Sequence, residues 1–430
     1  MRGVTFIDVV VGTALVVIIF MALVGVLRAS LLVSSTAKAK AAATSLAENE
    51  MEYIRGLTYD NVGTVGGIPA GVIPQTQTQV LDGASYTERV LIEYVDDPAD
   101  GSAGSDANGI TIDYKVVKVS VSYTLRGVTN TISLVSNFAP PGIESTNGGG
   151  TLQINVVNAS GAAVPGATVT IVNASTSPAV NFTTFSNSSG IVYLPGAATS
   201  TQYQITATKA GYSTAQTYAR AGANQNPNPG YLTIVKNQTT TGTFAIDTFS
   251  TLNVSTLLAS TTGSSTPLGG VFLTFTGAKT IGSTGAGAPI PKTTAVITTD
   301  SLGNGALSLE WDSYTPTVTT YDIEDSCGLS PYALSPGSST SVSLTLGTKT
   351  TNSIVVEVID GSGNPVSSAT VLLSKTGFSS VSHSSSCGNA YFGGVSAATY
   401  SVAVGQSGHS TSTYSGVAVS GASTYVATLH

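Results

Sequence analysis

The sequence predicts an α+β region followed by an all-β region: a long N-terminal helix packed on an antiparallel sheet, and then three tandem β-sandwiches. Three observations lead to this prediction. An uncharged apolar run near the start passes without proline into a helix-favouring segment. Alternating apolar and polar residues then form three strand-like runs. After residue 150, short strands and glycine turns recur about every hundred residues.

The helix is expected to cover residues 4–55. No charged residue interrupts Val9–Leu27, and about 20 apolar residues with a rise of about 1.5 Å each cover a bilayer core. A cleaved secretory signal is the alternative for this run. After Arg28 no Pro or Gly occurs before Gly56, which favours one unbroken rod of roughly 75–80 Å. The second half is amphipathic and should pack on the sheet through Leu31, Leu32, Leu46, Met51 and Ile54.

An ionisable acid, Asp8, stands at the start of the apolar run. An isolated carboxylate is costly in hydrocarbon, so Asp8 is expected to meet a partner. Met1-Arg2-Gly3 followed by Val4-Thr5-Phe6-Ile7-Asp8 resembles the prepilin signature of type IV pilins and pseudopilins. In that family a short basic leader ends in glycine, a peptidase cuts after it, and an acid occupies the fifth mature residue.

The resemblance implies a prepilin leader at residues 1–3, a cut after Gly3 and a methylated amine on Val4. Asp8 would then pair with the amine of a neighbour's Val4 in a filament of packed helices, where each charge offsets the desolvation cost of the other. The family usually has Phe at the cut and Glu as the acid, in place of Val4 and Asp8. The implied partners are other pilin subunits, a prepilin peptidase and the inner membrane of a bacterium, which the subunit leaves for an extracellular filament.

A sheet is predicted after the helix, over residues 56–139. The segment EMEYIRGLTYDNVGT, at residues 50–64, resembles the corresponding segment of minor pilins, and the resemblance implies a pilin fold for this region. Strands are predicted from Tyr86, Tyr114 and Val128. The loop between the first two suits either a calcium ion or a metal-free turn, and no other cofactor is expected. Its candidate calcium ligands are Asp96, Asp97, Asp100, Asp106, Asn108 and Asp113.

A linker is predicted at residues 140–150, followed by modules at 151–248, 249–348 and 349–430. The first and third modules share the order strand, Gly turn, Pro, Ala-x-Val strand, Gly turn and Tyr-initiated strand, whereas the second is more divergent. These repeats resemble the carboxypeptidase-regulatory-like domain. The resemblance implies immunoglobulin-like or transthyretin-like sandwiches without a catalytic role, and the ligand of their surfaces is left open.

The two cysteines, Cys327 and Cys387, each precede a glycine in a polar, turn-like context. Two interpretations are open. They form one disulfide between modules or between chains outside the cell, or they are two free thiols in exposed loops.

Charge and histidine content argue against nucleic-acid binding and against catalysis. The net charge is −7 and 9% of residues are charged, so no basic stripe is available to neutralise phosphates. The histidines are His383, His409 and His430, and none belongs to an HExxH motif that would hold zinc. The chain is therefore expected not to be an enzyme.

Together these features predict a type IV pilin-like subunit of a cell-surface filament, assembled through its helix and displaying its sandwiches for adhesion or surface contact. One alternative is an uncleaved, single-span surface binding protein. The other is a pseudopilin of a secretion system. Gly3 and Asp8 distinguish the filament subunit from the uncleaved surface binding protein, because only filament assembly requires these two residues.

Overall fold

The computed structural model describes residues 6–97, 112–140, 149–259, 265–325, 327, 330–385 and 387–429. The chain packs into two compact units. The first unit consists of Met1–Asn155, Thr168–Ile205 and Tyr231–Thr243, and the second of Val156–Ala167, Thr206–Gly230 and Phe244–His430.

A single long helix, α1 (Phe6–Arg55), begins the described chain. Its 50 residues correspond to about 75 Å. Ala, Leu and Val dominate its composition, and no proline removes an amide donor from its interior. The helix ends at Arg55, and the amide of the next residue, Gly56, donates to the carbonyl of Glu52 at 3.1 Å. A short 3-10 turn, Tyr59–Asn61, follows.

The head sheet is antiparallel in the order β1-β2-β3-β4. Its strands are β1 (Thr76–Leu81), β2 (Ala84–Val95), β3 (Tyr114–Leu125) and β4 (Val128–Phe138). Two-residue turns, Asp82-Gly83 and Arg126-Gly127, close its outer hairpins, and all four residues have φ between 51° and 80°. Such left-handed pairs match the twist of the strands they join, which fixes the register of both hairpins.

The second half of α1 packs on the head sheet mainly through small side chains. Ala39, Ala43 and Ala47 are buried at four-residue spacing, and Met51 and Ile54 continue the same face. This corrects part of the predicted stripe. Leu31 is 62% exposed and Leu32 is only partly buried, whereas Leu46, also partly buried, packs against the head core as predicted. Alanine brings the helix close to the sheet where a larger side chain would hold it away.

The first sandwich has the sheets β13-β5-β8 and β10-β9-β6-β7, with β12 beside β9. Strict alternation of buried and part-buried residues along β6 shows one face turned to a core. Its strands are β5 (Gly150–Val157), β6 (Thr168–Asn173), β7 (Val180–Phe185), β8 (Ile191–Ala197), β9 (Ser200–Thr208), β10 (Ala215–Gln216), β11 (Asn226–Pro227), β12 (Leu232–Ile234) and β13 (Thr239–Ala245).

The second sandwich encloses an apolar core that includes Leu273, Phe275 and Tyr314. Its strands are β14 (Ser250–Leu258), β15 (Thr266–Pro267), β16 (Phe272–Gly277), β17 (Thr280–Ser283), β18 (Pro289–Pro291), β19 (Thr294–Thr298), β20 (Asn304–Leu309), β21 (Asp312–Val318), β22 (Tyr321–Asp325), β23 (Tyr332–Leu334) and β24 (Ser339–Thr348). They form the sheets β15-β14-β24-β22, with β20 beside β14, and β19-β16-β21-β23; β17 and β18 form a small sheet with β11.

The third sandwich has its own core, around Val371, Tyr400 and Leu429. Its strands are β25 (Ser353–Asp360), β26 (Thr370–Lys375), β27 (Phe378–His383), β28 (Asn389–Gly393), β29 (Ala398–Gly405), β30 (Ser412–Val419) and β31 (Ala422–Leu429). They form the sheets β28-β25-β31 and β27-β26-β29-β30. The first and last strands pair in parallel, β25 with β31, as β14 and β24 do in the second sandwich.

A five-residue turn with glycine in fourth place recurs in the sandwiches. In the turn at Asp360, one carboxylate oxygen accepts the amides of Ser362 at 2.8 Å and Asn364 at 2.9 Å. The fourth residue, Gly363, has φ 86° and donates to the Asp360 carbonyl. Equivalent turns begin at Asn158, Asn187 and Asp300. The side-chain oxygen replaces a missing backbone acceptor, which explains the recurring Asx-x-x-Gly pattern.

Candidate functional site

The candidate site is the first half of α1, where apolar side chains are exposed instead of buried. Their exposed fractions run from 48% at Val10 to 83% at Phe6, and Ala39 is the first buried residue among the helix positions described. An unpartnered face of this size signals a membrane or another chain. The exposed large apolar residues are Phe6, Ile7, Val10, Val11, Leu15, Val16, Val17, Ile18, Ile19, Phe20, Met21, Leu23, Val26, Leu27, Leu31 and Val33.

By length and composition, α1 can cross a membrane. The qualifying part is Thr13–Arg55, and its most apolar window of 18 residues is 0% buried. Hydroxyl groups on the helix donate hydrogen bonds to backbone carbonyls of the same helix. Thr13 Oγ1 donates to the Val10 carbonyl at 2.9 Å, and Ser35 Oγ to the Leu32 carbonyl at 2.9 Å. These internal bonds let polar residues enter an apolar surrounding without an unsatisfied donor.

The prepilin motif is only partly described, because the described residues begin at Phe6. Asp8 is part of α1, within its first turn. Gly3 and Val4 lie outside the described residues. Cleavage after Gly3, methylation of Val4 and pairing of Asp8 therefore stay predictions.

Buried polar groups lie beneath the helix in the head. Glu88 is 2% exposed, and Gln77 Nε2 donates to its Oε2 at 3.1 Å and to Glu50 Oε2 at 3.5 Å. Burial and, secondly, the charge of Glu50 raise the pKa of Glu88 to about 7. An exposed ion pair, Lys38 to Asp82 at 2.8 Å, joins the helix to the first hairpin and lowers the pKa of Asp82 through their hydrogen bond.

The predicted calcium ligands are only partly described. Asp113 Oδ2 accepts the amide of Asp97 at 2.5 Å, and the Asp113 amide donates to the Val95 carbonyl at 2.9 Å. The Asp113 carboxylate thus ties together the two ends of the acidic loop. Asp100, Asp106 and Asn108 lie outside the described residues, so calcium binding stays a prediction.

Cys327 and Cys387 form a disulfide, with Cα atoms 4.9 Å apart, that links the second sandwich to the third. Asp325 supports it: Oδ1 accepts the Cys327 amide at 2.6 Å and Asn389 Nδ2 at 2.8 Å, and Oδ2 accepts the Ser385 hydroxyl. Among the described residues, the closely grouped metal-ligand types are Asp325 and these two cysteines. Because the sulfurs are bonded to each other, they are not thiolate ligands.

Sequence reasoning missed how the head contacts the first sandwich. Arg89 donates to the Thr183 carbonyl, and its guanidinium lies over the Phe185 ring. Thr184 Oγ1 donates to Glu93 Oε1 at 3.3 Å. Periodicity shows that β2 has two faces, but no local pattern identifies the strand that covers one of them.

The residues considered for catalysis are dispersed. His383 lies on β27 and His409 in the turn after β29, both exposed, and His430 lies outside the described residues. Trp311, the single tryptophan of the sequence, is half-buried, and the ammonium of Lys279 lies 3.0 Å from the centroid of its ring. The absence of enzymatic activity stays a prediction.

Comparison with solved structures finds distant similarity. The TIE protein of Bacillus anthracis shares 11% identity, with 83% of this chain and 73% of that protein covered and a TM-score of 0.20. A minor pilin of Streptococcus agalactiae shares 11%, covering 46% and 96%, with a TM-score of 0.25. A variant of the shaft pilin SpaA of Lactobacillus rhamnosus GG shares 14%, covering 47% and 98%, with a TM-score of 0.19.

No curated protein matches the chain. A family model does match, over residues 151–247 and 353–430, which correspond to the first and third sandwiches. The model that matches these two segments describes the carboxypeptidase regulatory-like domain, so both segments are similar to that domain.

Proposed function

We propose that the protein is a type IV pilin-like subunit of a cell-surface filament, assembled through α1 and carrying its three sandwiches for adhesion or surface contact. One observation supports this most. A single uninterrupted helix is apolar and exposed over its first half and packed on the head over its second half. The element that would anchor the subunit is thus continuous with the element that holds its folded part.

The same apolar surface serves both stages of the proposed pathway. In the membrane, lipid covers the side chains from Phe6 to Val33. In a filament, the helices of neighbouring subunits cover them, so the transfer exchanges one apolar surrounding for another. Asp8 would enter this dry core with a freed Val4 amine of a neighbour as its counter-ion. Breaking such a pair by removing one partner is strongly unfavourable, which makes Asp8 an assembly determinant.

The role proposed is structural and non-catalytic, with other subunits, a prepilin peptidase and the inner membrane as partners. An uncleaved membrane-anchored binding protein would use α1 only as a span. A secretion pseudopilin would use the same helix chemistry in a short periplasmic filament. Calcium in the head loop is compatible with all three functions, so it does not separate them.

The test compares Asp8→Ala with Asp8→Glu in cells that express the full chain. Both variants keep the apolar surface of α1, and only Asp8→Glu keeps a carboxylate. We expect Asp8→Ala to abolish recovery of the protein in sheared filaments while its level in membranes is unchanged, and Asp8→Glu to restore recovery. Equal recovery of both variants in the sheared fraction contradicts the proposal. Surface display without any filament fraction, in the unmodified protein as well, favours the anchored binding protein.

A further inference from the structure

A cavity of about 470 Å³ lies where the second sandwich meets the third, within the second compact unit. Glu324 and Gly347 line it from the second sandwich, and Phe378, His383 and Tyr391 from the third. Its volume falls in the range of sites that hold small molecules. The Cys327–Cys387 disulfide and the hydrogen bonds of Asp325 hold its two sides together.

Glu324 is the unusual residue of this cavity. It is 6% exposed, and its Oε1 is buried without a hydrogen-bond partner. Asp325, its neighbour in sequence, contrasts with it because both of its carboxylate oxygens accept hydrogen bonds. A buried carboxylate oxygen without a donor is costly, so Glu324 is a group that lacks its partner in the described structure.

The described walls of the cavity carry two acidic side chains, Glu324 and Asp325, and His383 is the one basic side chain among them. Its described lining residues include no Lys or Arg, and those that titrate are Glu324, Asp325, His383 and Tyr391. Asp322 adds a third acidic group nearby, because its charge acts on Glu324. A cationic ligand is the complement of such a surface.

The geometry points to a binding site for an organic cation that carries a primary ammonium group, with Glu324 as its counter-ion. The Tyr391 ring lies beside Glu324, since a Cβ placed on Gly347 would contact both the Glu324 carboxylate and that ring. A carboxylate next to an aromatic ring offers an ammonium both an ion pair and a cation–π contact. Glycine at position 347 is what leaves room for this pair.

A divalent metal fits the cavity less well. Hard divalent cations such as calcium need several oxygen ligands within a few ångströms of a common point. Among the described residues, the close grouping of metal-ligand types consists of Asp325 and the two disulfide-bonded cysteines, without Glu324 or Asp322. The volume of the cavity is also that of an organic ligand.

Protonation of Glu324 allows binding at this site to be measured as proton release. Burial, followed by the charges of Asp322 and Asp325, raises the pKa of Glu324 to about 8. Below that pH the free site is neutral at Glu324, so binding of an ammonium must displace a proton. The other titratable groups facing the site are His383 and Tyr391. Proton release at pH 7 therefore distinguishes pairing with Glu324 from simple occupation of the cavity.

The experiment is calorimetric titration of the full chain in detergent micelles with Nα-acetyl-lysine methylamide, in two buffers that differ in ionisation enthalpy. The neutral control ligand is its Nε-acetylated form, and calcium chloride is titrated separately. The variants are Glu324→Gln and, as a matched control, Glu88→Gln, which removes another buried carboxyl group with a raised pKa from the head. Thermal unfolding of each variant verifies that it is folded.

We expect saturable binding of the lysine amide with proton release at pH 7, no binding of the acetylated form, and a loss of affinity of at least about tenfold in Glu324→Gln but not in Glu88→Gln. No binding by the unmodified protein overturns the proposal. So does equal affinity in Glu324→Gln, which would place the ligand elsewhere. Binding of calcium without binding of the lysine amide also overturns it, in favour of a metal site.

Discussion

The guanidinium carbon of Arg89, on strand β2 of the head, lies 4.4 Å from the centroid of the Phe185 ring, at the end of strand β7 of the first sandwich. The same side chain donates a hydrogen bond to the Thr183 carbonyl. Arg89 therefore connects the element that carries α1 to the sandwich that follows it.

Replacing Arg89 with alanine should loosen this connection. We expect Arg89→Ala to lower the free energy of unfolding by about 1–2 kcal/mol, because it removes a cation–π contact and a charged hydrogen bond. Urea unfolding of the full chain in detergent micelles measures the change, and Lys40→Ala, at an exposed position of α1, is the control. Equal stability of Arg89→Ala and Lys40→Ala would contradict a stabilising role for Arg89.

The Cys327–Cys387 disulfide closes 60 residues of chain. In the chain-entropy model such a loop stabilises the folded state by about 4 kcal/mol, and measured values for disulfides centre on about 2–4 kcal/mol. We expect Cys327→Ser/Cys387→Ser to lower the unfolding free energy of the third sandwich by an amount in this range. Dithiothreitol should lower the unmodified protein to the level of the variant and leave the variant unchanged. An unmodified protein that does not respond to the reductant would contradict the bond.

Glu88 should make the stability of the head depend on pH. Its pKa of about 7 in the folded state lies above its ordinary value of 4.5, so the folded state binds the proton more tightly than the unfolded state. Stability is therefore lost as the pH rises from about 4.5 through about 7. We expect Glu88→Gln to be neutral near pH 4 and stabilising at pH 8, by about 1–2 kcal/mol after allowance for partial solvation.

Urea unfolding at the two pH values measures this effect, and Glu48→Gln, at an exposed position of α1, serves as the control. A stabilisation by Glu88→Gln that is the same at both pH values would show that packing, and not ionisation, is responsible.

Two glycines of the third sandwich provide a matched pair. Gly363 and Gly388 have nearly equal φ values of 86° and 85°, so alanine strains the backbone to the same extent at both, by about 1–2 kcal/mol. A Cβ at Gly363 meets no atom within 4 Å, whereas one at Gly388 would lie 2.6 Å from the Val358 carbonyl oxygen. We expect Gly388→Ala to be clearly more destabilising than Gly363→Ala in thermal unfolding. Equal losses of stability in the two variants would contradict this, because strand β25 would then move away from the added Cβ without destabilising the fold.

Local signals account for the parts of the fold that the sequence predicted. Each of these signals acts over a few residues. They are the absence of proline in the helix, the glycine of each turn and the alternation of buried and exposed residues along β3. The family match over residues 151–247 and 353–430 confirms the resemblance stated for the first and third modules. The helix stripe was partly wrong because alanine, which counts as weakly apolar, provides the closest packing at Ala43 and Ala47.

Contacts between distant segments could not be predicted in the same way. Arg89 and Phe185 are separated by 96 positions (185 − 89) in the sequence. Neither residue belongs to a distinctive motif. Glu324 looks like an ordinary acid at the end of a strand. Its burial depends on the third sandwich, and single-strand periodicity contains no information about which surfaces meet.

Mass spectrometry of the N-terminal peptide of the protein recovered from sheared surface filaments tests assembly through α1 most directly. We expect a peptide that begins at Val4 and carries a methyl group on its amine. A peptide that begins at Met1, from protein found only in membranes, would contradict filament assembly through α1.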